Sequence, residues 1–371
     1  MSSATPNSIL QTEVGVVVRV DRARPGAQEL TVSVAGREER AVSYPQLLGE
    51  VEAGEQVLLN TTAVRARLGT GGYHFVMKRA GQEQPQEATG HIVKLRYTPL
   101  QFRCRTVEEE GSPYREAVES LEGLGMMAVI VAGLHSQVAP AAAAVKVLAP
   151  EARVAYVMPD TAALPISFST LVNQLKEAGL LEATITVGQA FGGDYEAVNV
   201  YTGLLAARAV VGADVAIVAQ GPGNVGTETE WGFGSIAQGE HLNAVGLLNG
   251  FPIAVPRISF ADPRPRHQGV SRQSLIAIGR VALVSAVVSL PEMAPEKLEV
   301  VQRQLEEEGI FEKHEVLVAQ GEAGVQALAA RGIEMKTMGR TVEQDPEFFL
   351  AAGAAGAIAA ARLKAGGAAD E

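Results

Sequence analysis

The chain has 371 residues, 47% hydrophobic and 20% charged, a balance that excludes a disordered polymer and is long enough for two cores. Its single cysteine, Cys104, excludes an internal disulfide or a Cys-rich zinc centre and fits a reducing, cytoplasmic setting. The formal charge of -11 is uneven: residues 1–106 hold 13 basic and 10 acidic side chains and the remainder 18 and 32, so the larger, acidic part argues against wrapping nucleic acid.

The first eleven residues are polar, with no basic stretch leading into an apolar run, and no secretory signal is expected. Residues 13–19, 29–34, 55–60 and 74–78 are rich in Val, Leu and Thr and are punctuated by Gly and Pro. They predict short strands of a small barrel or sandwich, a β-barrel-like domain over residues 1–106. Gly69, Gly71 and Gly72 mark a tight turn before Tyr73 and His74, whose expected role is packing. Residues 90–105 form a second β-rich stretch that could pair back onto the barrel. Residues 106–123 are acidic and read as a helix.

The pattern then changes. Apolar runs at 127–132, 153–158, 183–187, 214–219 and 252–258 alternate with helix-length segments at 138–148, 170–178, 196–211 and 236–249. Near-continuous apolar strands require a sheet covered on both faces, and strand–helix alternation requires mostly parallel pairing. Residues 107–371 therefore predict a three-layer, Rossmann-like α/β domain. Further strands are expected at 281–290, 315–319 and 334–337, with helices at 295–308 and 345–364. Asp345 stands at the N-cap position of the last helix and Pro346 in its first turn. The apolar run 348–361 is too short for a bilayer, so no membrane span is expected. Gly353 and Gly356 suit close helix contacts, inside one chain or between copies in a homo-oligomer.

In an open parallel sheet, ligands bind beyond the carboxyl ends of the strands. Beyond the five main runs come, in order, His135 and Ser136; Asp160; Asp194; Gly221, Gly223, Asn224, Gly226 and Thr227; and Asp262, Arg264, Arg266 and His267. The loops at the opposite end, 149–152 and 212–213, are blander. Residues 221–227 match G-x-G-x-x-G, whose glycines let backbone amides approach a phosphate. The match follows the fourth strand rather than the first, and Trp231-Gly-Phe-Gly delays any helix. Asp262 lies far beyond the usual spacing of about 20 residues for a ribose-binding acid. An anion contact or a plain connecting loop therefore fits better than a dinucleotide site. Arg264 and Arg266 could clamp a carboxylate or phosphate, or pair with surface acids. His267, Asp160 and Asp194 are the candidates for proton transfer, with Asp194 alternatively the N-cap of the helix at 196–211. Ser136 is a nucleophile beside a histidine or a helix cap. No zinc or calcium motif occurs, so no metal site is expected, and no cofactor is named by the sequence.

Four segments carry a resemblance: 62–75 (TAVRARLGTGGYHF), 132–140 (AGLHSQVAP), 191–197 (FGGDYEA) and 259–271 (SFADPRPRHQGVS). In this order they resemble a bacterial family known only as domain of unknown function 3866, over nearly the whole chain. The resemblance implies no activity. The expectation from the residues is a protein that binds, and in one reading transforms, a small anionic molecule, phosphorylated or nucleotide-like. The alternative is a non-catalytic sensor or assembly protein whose N-terminal β domain binds a partner.

Overall fold

A computed structural model describes residues 10–68, 71–80 and 89–367. The first nine residues, Gly69 of the expected turn and the tail after 367 lie outside it. The chain divides into two compact units, residues 1–89 with 95–103, and residues 90–94 with 104–371. The unit boundary thus differs from a simple break at 106. Lys94 explains part of the difference. It is fully buried in the larger unit, where its Nζ donates to the carbonyl oxygen of Ala190 at 2.5 Å and pairs with Glu196 Oε2 at 2.5 Å.

The smaller unit is a closed five-stranded barrel: β1 (Thr12–Arg24), β2 (Ala27–Val34), β3 (Arg37–Ser43), β4 (Gln56–Asn60) and β5 (His74–Arg79). The long β1 pairs with β4 through residues 12–16 and with β2 beyond Gly15, with register shifts that curl it round the core. Gly15 is needed there, because a Cβ would meet Leu59 Cδ1 at 2.9 Å. Strand β3 escapes a sequence reading because Arg37 to Arg40 are all charged, and only Ala41, Val42 and Ser43 turn inward. Neither Ile92–Lys94 nor Phe102–Cys104 joins the barrel. His74 is buried and bonded to Glu39, a packing role.

The larger unit contains an eight-stranded, wholly parallel sheet: β6 (Ala128–Ala132), β7 (Val154–Met158), β8 (Ala183–Val187), β9 (Tyr195–Ala197), β10 (Val215–Ala219), β11 (Phe251–Val255), β12 (Val287–Pro291) and β13 (Glu315–Ala319), in the spatial order β9-β8-β7-β10-β6-β11-β12-β13. Every residue of β6, β7, β8, β10 and β12 is buried, which is why these strands read as unbroken apolar runs. The longer helices are α1 (Val138–Leu148), α2 (Thr170–Glu177), α3 (Val200–Ala209), α4 (Ala237–Leu247), α5 (Pro295–Glu307), α6 (Glu322–Ala330) and α7 (Pro346–Gly367). Helix α1 packs against α6 and α7, while α3 packs against α4.

Several expectations are corrected. The acidic segment 106–123 is helical only at Arg115–Glu119, because Glu108 and Glu109 instead accept the backbone N–H groups of Val198 and His91. The helix expected from 196 starts at Val200, capped by Asn199, and residues 195–197 are edge strand β9. Of the strand expected at 281–290 only 287–290 is strand, since Val281 ends a helical turn that begins at Ile276 and 282–286 are loop, and 334–337 is not a strand but leads into a tight turn, with Met338 and Gly339 at positive φ. Helix α6 had no clear signal. Asp345 precedes α7, but its Oδ2 accepts from Ser259 and Arg340, and its Oδ1 has no hydrogen-bond partner among the described residues.

By length and composition Pro346–Ala365 would reach across a membrane, but Phe348, Phe349, Ala351, Ala352, Ala355 and Ala359 are fully buried, as in a core helix. The close helix contacts of its glycines lie within one chain. A Cβ on Gly353 would stand 2.1 Å from the Gly321 carbonyl oxygen, and one on Gly356 would stand 2.4 Å from that of Ala141. In an exposed helix Gly→Ala gains up to about 1 kcal/mol. Here Gly356→Ala is expected to lower the denaturation midpoint, and Gly356→Val to cost about 1–3 kcal/mol by overpacking. An unchanged or raised midpoint for both would contradict this packing.

Candidate functional site

The strand order reverses at the centre of the sheet. The connection from β6 leads to β7 on one side, and that from β11 leads to β12 on the other. Such a switch point opens a crevice at the carboxyl ends of the strands. A cavity of about 470 Å³ lies there, beyond the three adjacent strands β10, β6 and β11. Its wall comes from 134–136 after β6, 220–226 and Glu228 after β10, Arg257, Arg264, Arg266, His267 and Gln273 after β11, and the distant segment 336–338.

Three buried glutamines pair with the ends of these strands, and one of them, Gln220, lines the cavity floor. Parallel strands end in carbonyl groups that need donors. Gln238 donates to the carbonyl oxygens of Val131 and Val255, both at 2.9 Å, so one amide ties β6 to β11. Gln220 donates to that of Gly133 at 2.9 Å and Gln137 to that of Pro256 at 3.3 Å.

His135 lies beside this floor. Tyr156 donates its hydroxyl proton to the Ala219 carbonyl at 3.0 Å, so it must accept from His135 Nδ1 at 3.2 Å. His135 Nε2 then accepts from Ser169 at 2.6 Å. Both ring nitrogens are committed, and burial pulls the pKa to about 4. The ring is a neutral strut holding strand ends together. Ser136 lines the cavity and makes no side-chain hydrogen bond among the described residues.

The arginines are organised by Asp262, which is fully buried behind the wall. It accepts from Arg264 Nε and Nη2 at 2.8 and 2.7 Å, from Arg257 Nη2 at 2.7 Å and from Arg340 Nη2 at 3.3 Å. The Arg264 hydrogen bonds, with the charge of Arg257 behind them, hold its carboxyl far below the usual range. Arg264 is therefore half engaged and presents only its remaining edge to the cavity. Arg266 pairs with Glu228 at 2.8 Å on the rim. His267 Nδ1 lies 2.7 Å from the Ser271 hydroxyl and 3.4 Å from Arg257 Nη1. A guanidinium only donates, so Nδ1 is the accepting nitrogen and Nε2 carries the proton. Burial first, then Arg257 and Arg264, lower the His267 pKa to about 4 and keep the ring neutral.

The glycine-rich segment is not a helix-opening phosphate loop. Asn224 Oδ1 accepts the Ser235 N–H at 2.9 Å, and the chain between them doubles back as a hairpin, with Gly226 bridged to Phe233. Gly223 holds φ at +100, as the turn requires. Thr227 is absorbed into that hairpin, donating to the Gly232 carbonyl at 3.0 Å. Trp231 sits on the hairpin, about half exposed. Helix α4 starts only at Ala237.

The structure thus brings His135, Ser136, Gly221, Gly223, Asn224, Gly226, Arg264, Arg266 and His267 to one cavity, with Asp262 behind its wall. Asp160 and Asp194 do not line it. Asp160 accepts the Gln189 N–H at 2.8 Å, over a Gly188 whose Cβ would strike the carboxylate. Asp194 accepts both the N–H and hydroxyl of Thr184, at 2.8 and 2.9 Å, and pairs with Lys176. It is not a helix cap. Gln220, the first residue beyond β10, also lines the cavity, and Arg257, Gln273 and Lys336 are cavity residues outside the sequence reading. Among the described residues no group of three His, Cys, Asp or Glu side chains could hold a metal ion.

A family model described as protein of unknown function (DUF3866) matches residues 40–356. The chain belongs to the DUF3866 family. No curated protein and no solved structure matches it. The DUF3866 match spans all the cavity-lining segments, 134 to 338.

Two outcomes are expected. Asp262→Ala strands the buried Arg257 and should cost about 3–5 kcal/mol in chemical denaturation, whereas Glu228→Ala, on an exposed pair, should cost under about 1 kcal/mol. His135, His241 and His267 all have pKa values lowered from 6.5 to about 4, so the unfolded chain takes up protons that the native fold refuses as pH falls below 6.5. The melting temperature should fall from pH 6.5 to 5, and His241→Gln should make that slope shallower. A flat profile would mean that these rings are not held neutral.

Proposed function

We propose that the larger domain binds a small anionic molecule, phosphorylated or nucleotide-like, in the cavity beyond β10, β6 and β11. The observation that carries this reading is the charge of the wall. Arg257, Arg264, Arg266 and Lys336 face a space lined by one carboxylate, Glu228, in a part of the chain that is otherwise strongly acidic. Guanidiniums suit the planar, multidentate oxygens of phosphate and carboxylate groups.

The geometry favours binding over proton abstraction. Of His267, Asp160 and Asp194, only His267 lines the cavity, and its neutral ring offers an Nε2–H donor. If the ligand is transformed, His267 is the group that hydrogen-bonds it. Burial pushes the Cys104 thiol up to about 11, so it stays protonated near neutral pH and offers no thiolate nucleophile. A second reading has its own observation. Val14, Val16 and Val18 stand exposed at 60%, 39% and 40% on the outer face of β1, an apolar stripe that suits a partner and a non-catalytic role.

A thermal-shift screen of nucleotides, sugar phosphates and inorganic phosphate tests the leading reading. A ligand at about 100 times its Kd should stabilise the protein by about 2.7 kcal/mol. Arg266→Ala with Lys336→Ala removes two cavity cations without touching Asp262, and should abolish that shift. If no phosphorylated compound raises the melting temperature, or the double variant responds like the parent, the anion site is wrong.

A further inference from the structure

We infer that the ligand of this cavity is bifunctional: an anionic group joined to a body that carries a hydroxyl or amino donor, as in a sugar phosphate or nucleoside phosphate. The inference rests on the anion reading above and adds a second recognition element, Gln220.

Gln220 directly follows β10 and is 97% buried, with 3% of its surface exposed, yet it forms part of the cavity wall. Its Nε2 is committed to the Gly133 carbonyl, so the amide cannot turn round. That leaves Oε1 as a fixed acceptor, and it has no partner among the described residues. A buried acceptor left unpaired costs about 1–3 kcal/mol, and only a donor relieves it. Gln220 is itself part of the cavity lining, so a ligand held there is the source of such a donor.

At the other end the demand is reversed. Arg257 follows β11 and is also nearly buried. Its Nη2 is taken by Asp262, and its Nη1 faces His267. Its Nε has no partner among the described residues and calls for an acceptor, which an anion supplies. Strands β10 and β11 are separated only by β6, so two strand spacings, about 10 Å, lie between the two backbones. Ser136, beyond the middle strand, offers its free hydroxyl between them. A lone phosphate meets one end only. A dicarboxylate puts an acceptor against Gln220 Oε1 and is disfavoured. A phosphorylated polyol meets both.

Calorimetric titration of the full chain with inorganic phosphate, ribose 5-phosphate, AMP and succinate, in the parent and in Gln220→Met, separates the cases. Ribose 5-phosphate or AMP is expected to bind at least tenfold more tightly than phosphate, and succinate no better than phosphate. In Gln220→Met the preference for the phosphorylated polyol over phosphate should disappear, and a folded variant that keeps the parent's preference overturns the role of Gln220. If the variant does not fold, the selectivity of the parent decides the matter alone. Equal affinity for phosphate and both phosphorylated polyols overturns the bifunctional ligand and leaves the anion site standing. No binding by any phosphorylated probe, phosphate included, overturns both.

Discussion

One buried carboxylate makes the cationic wall possible. Three guanidiniums, from Arg257, Arg264 and Arg340, converge on Asp262 within 2.7–3.3 Å. Without it, mutual repulsion and lost hydration would drive them apart. Asp345 accepts from Arg340 Nε and from the Ser259 hydroxyl, so the loop after β11 and the segment before α7 are joined in one network. Three cations against two carboxylates leave a surplus of positive charge. The network also fixes where that charge sits, so little conformational freedom remains to be lost when an anion arrives.

How much of this was legible follows from the physics of each signal. Strands buried on both faces are unbroken apolar runs, so β6, β7, β8 and β10 could be placed closely from local sequence. Their spatial order could not, because it depends on pairings between distant segments, such as Ala128 with Phe251. Arg264, Arg266 and His267 stood out as basic residues in an acidic domain. Arg257 did not, because it sits inside the apolar run 252–258. An arginine in such a run was itself the available clue. Lys336 and Arg340 reach the site only through the tertiary fold.

Asp160 and Asp194 show the opposite failure. A carboxylate after a strand can face a ligand or receive backbone N–H groups, and the residue type is the same in both cases. What decides it is the neighbouring backbone: Gly188 lets the next loop come up under Asp160, and Thr184 offers Asp194 both its amide and its hydroxyl. The glycine-rich motif failed for a related reason. Its glycines serve a hairpin, and residues 227–236 separate Gly226 from the helix whose N-terminus they would need.

The packing of α7 against α1 and α6 depends on glycines whose missing side chains let backbones meet. Close packing of that kind lies away from the hairpin at the cavity rim, which carries an exposed aromatic side chain, Trp231. Trp231 is the sole tryptophan of the chain. Its indole emission is therefore a private optical channel of that hairpin: any change in colour or intensity excited at the red edge reports on the rim of the cavity and on no other part of the molecule.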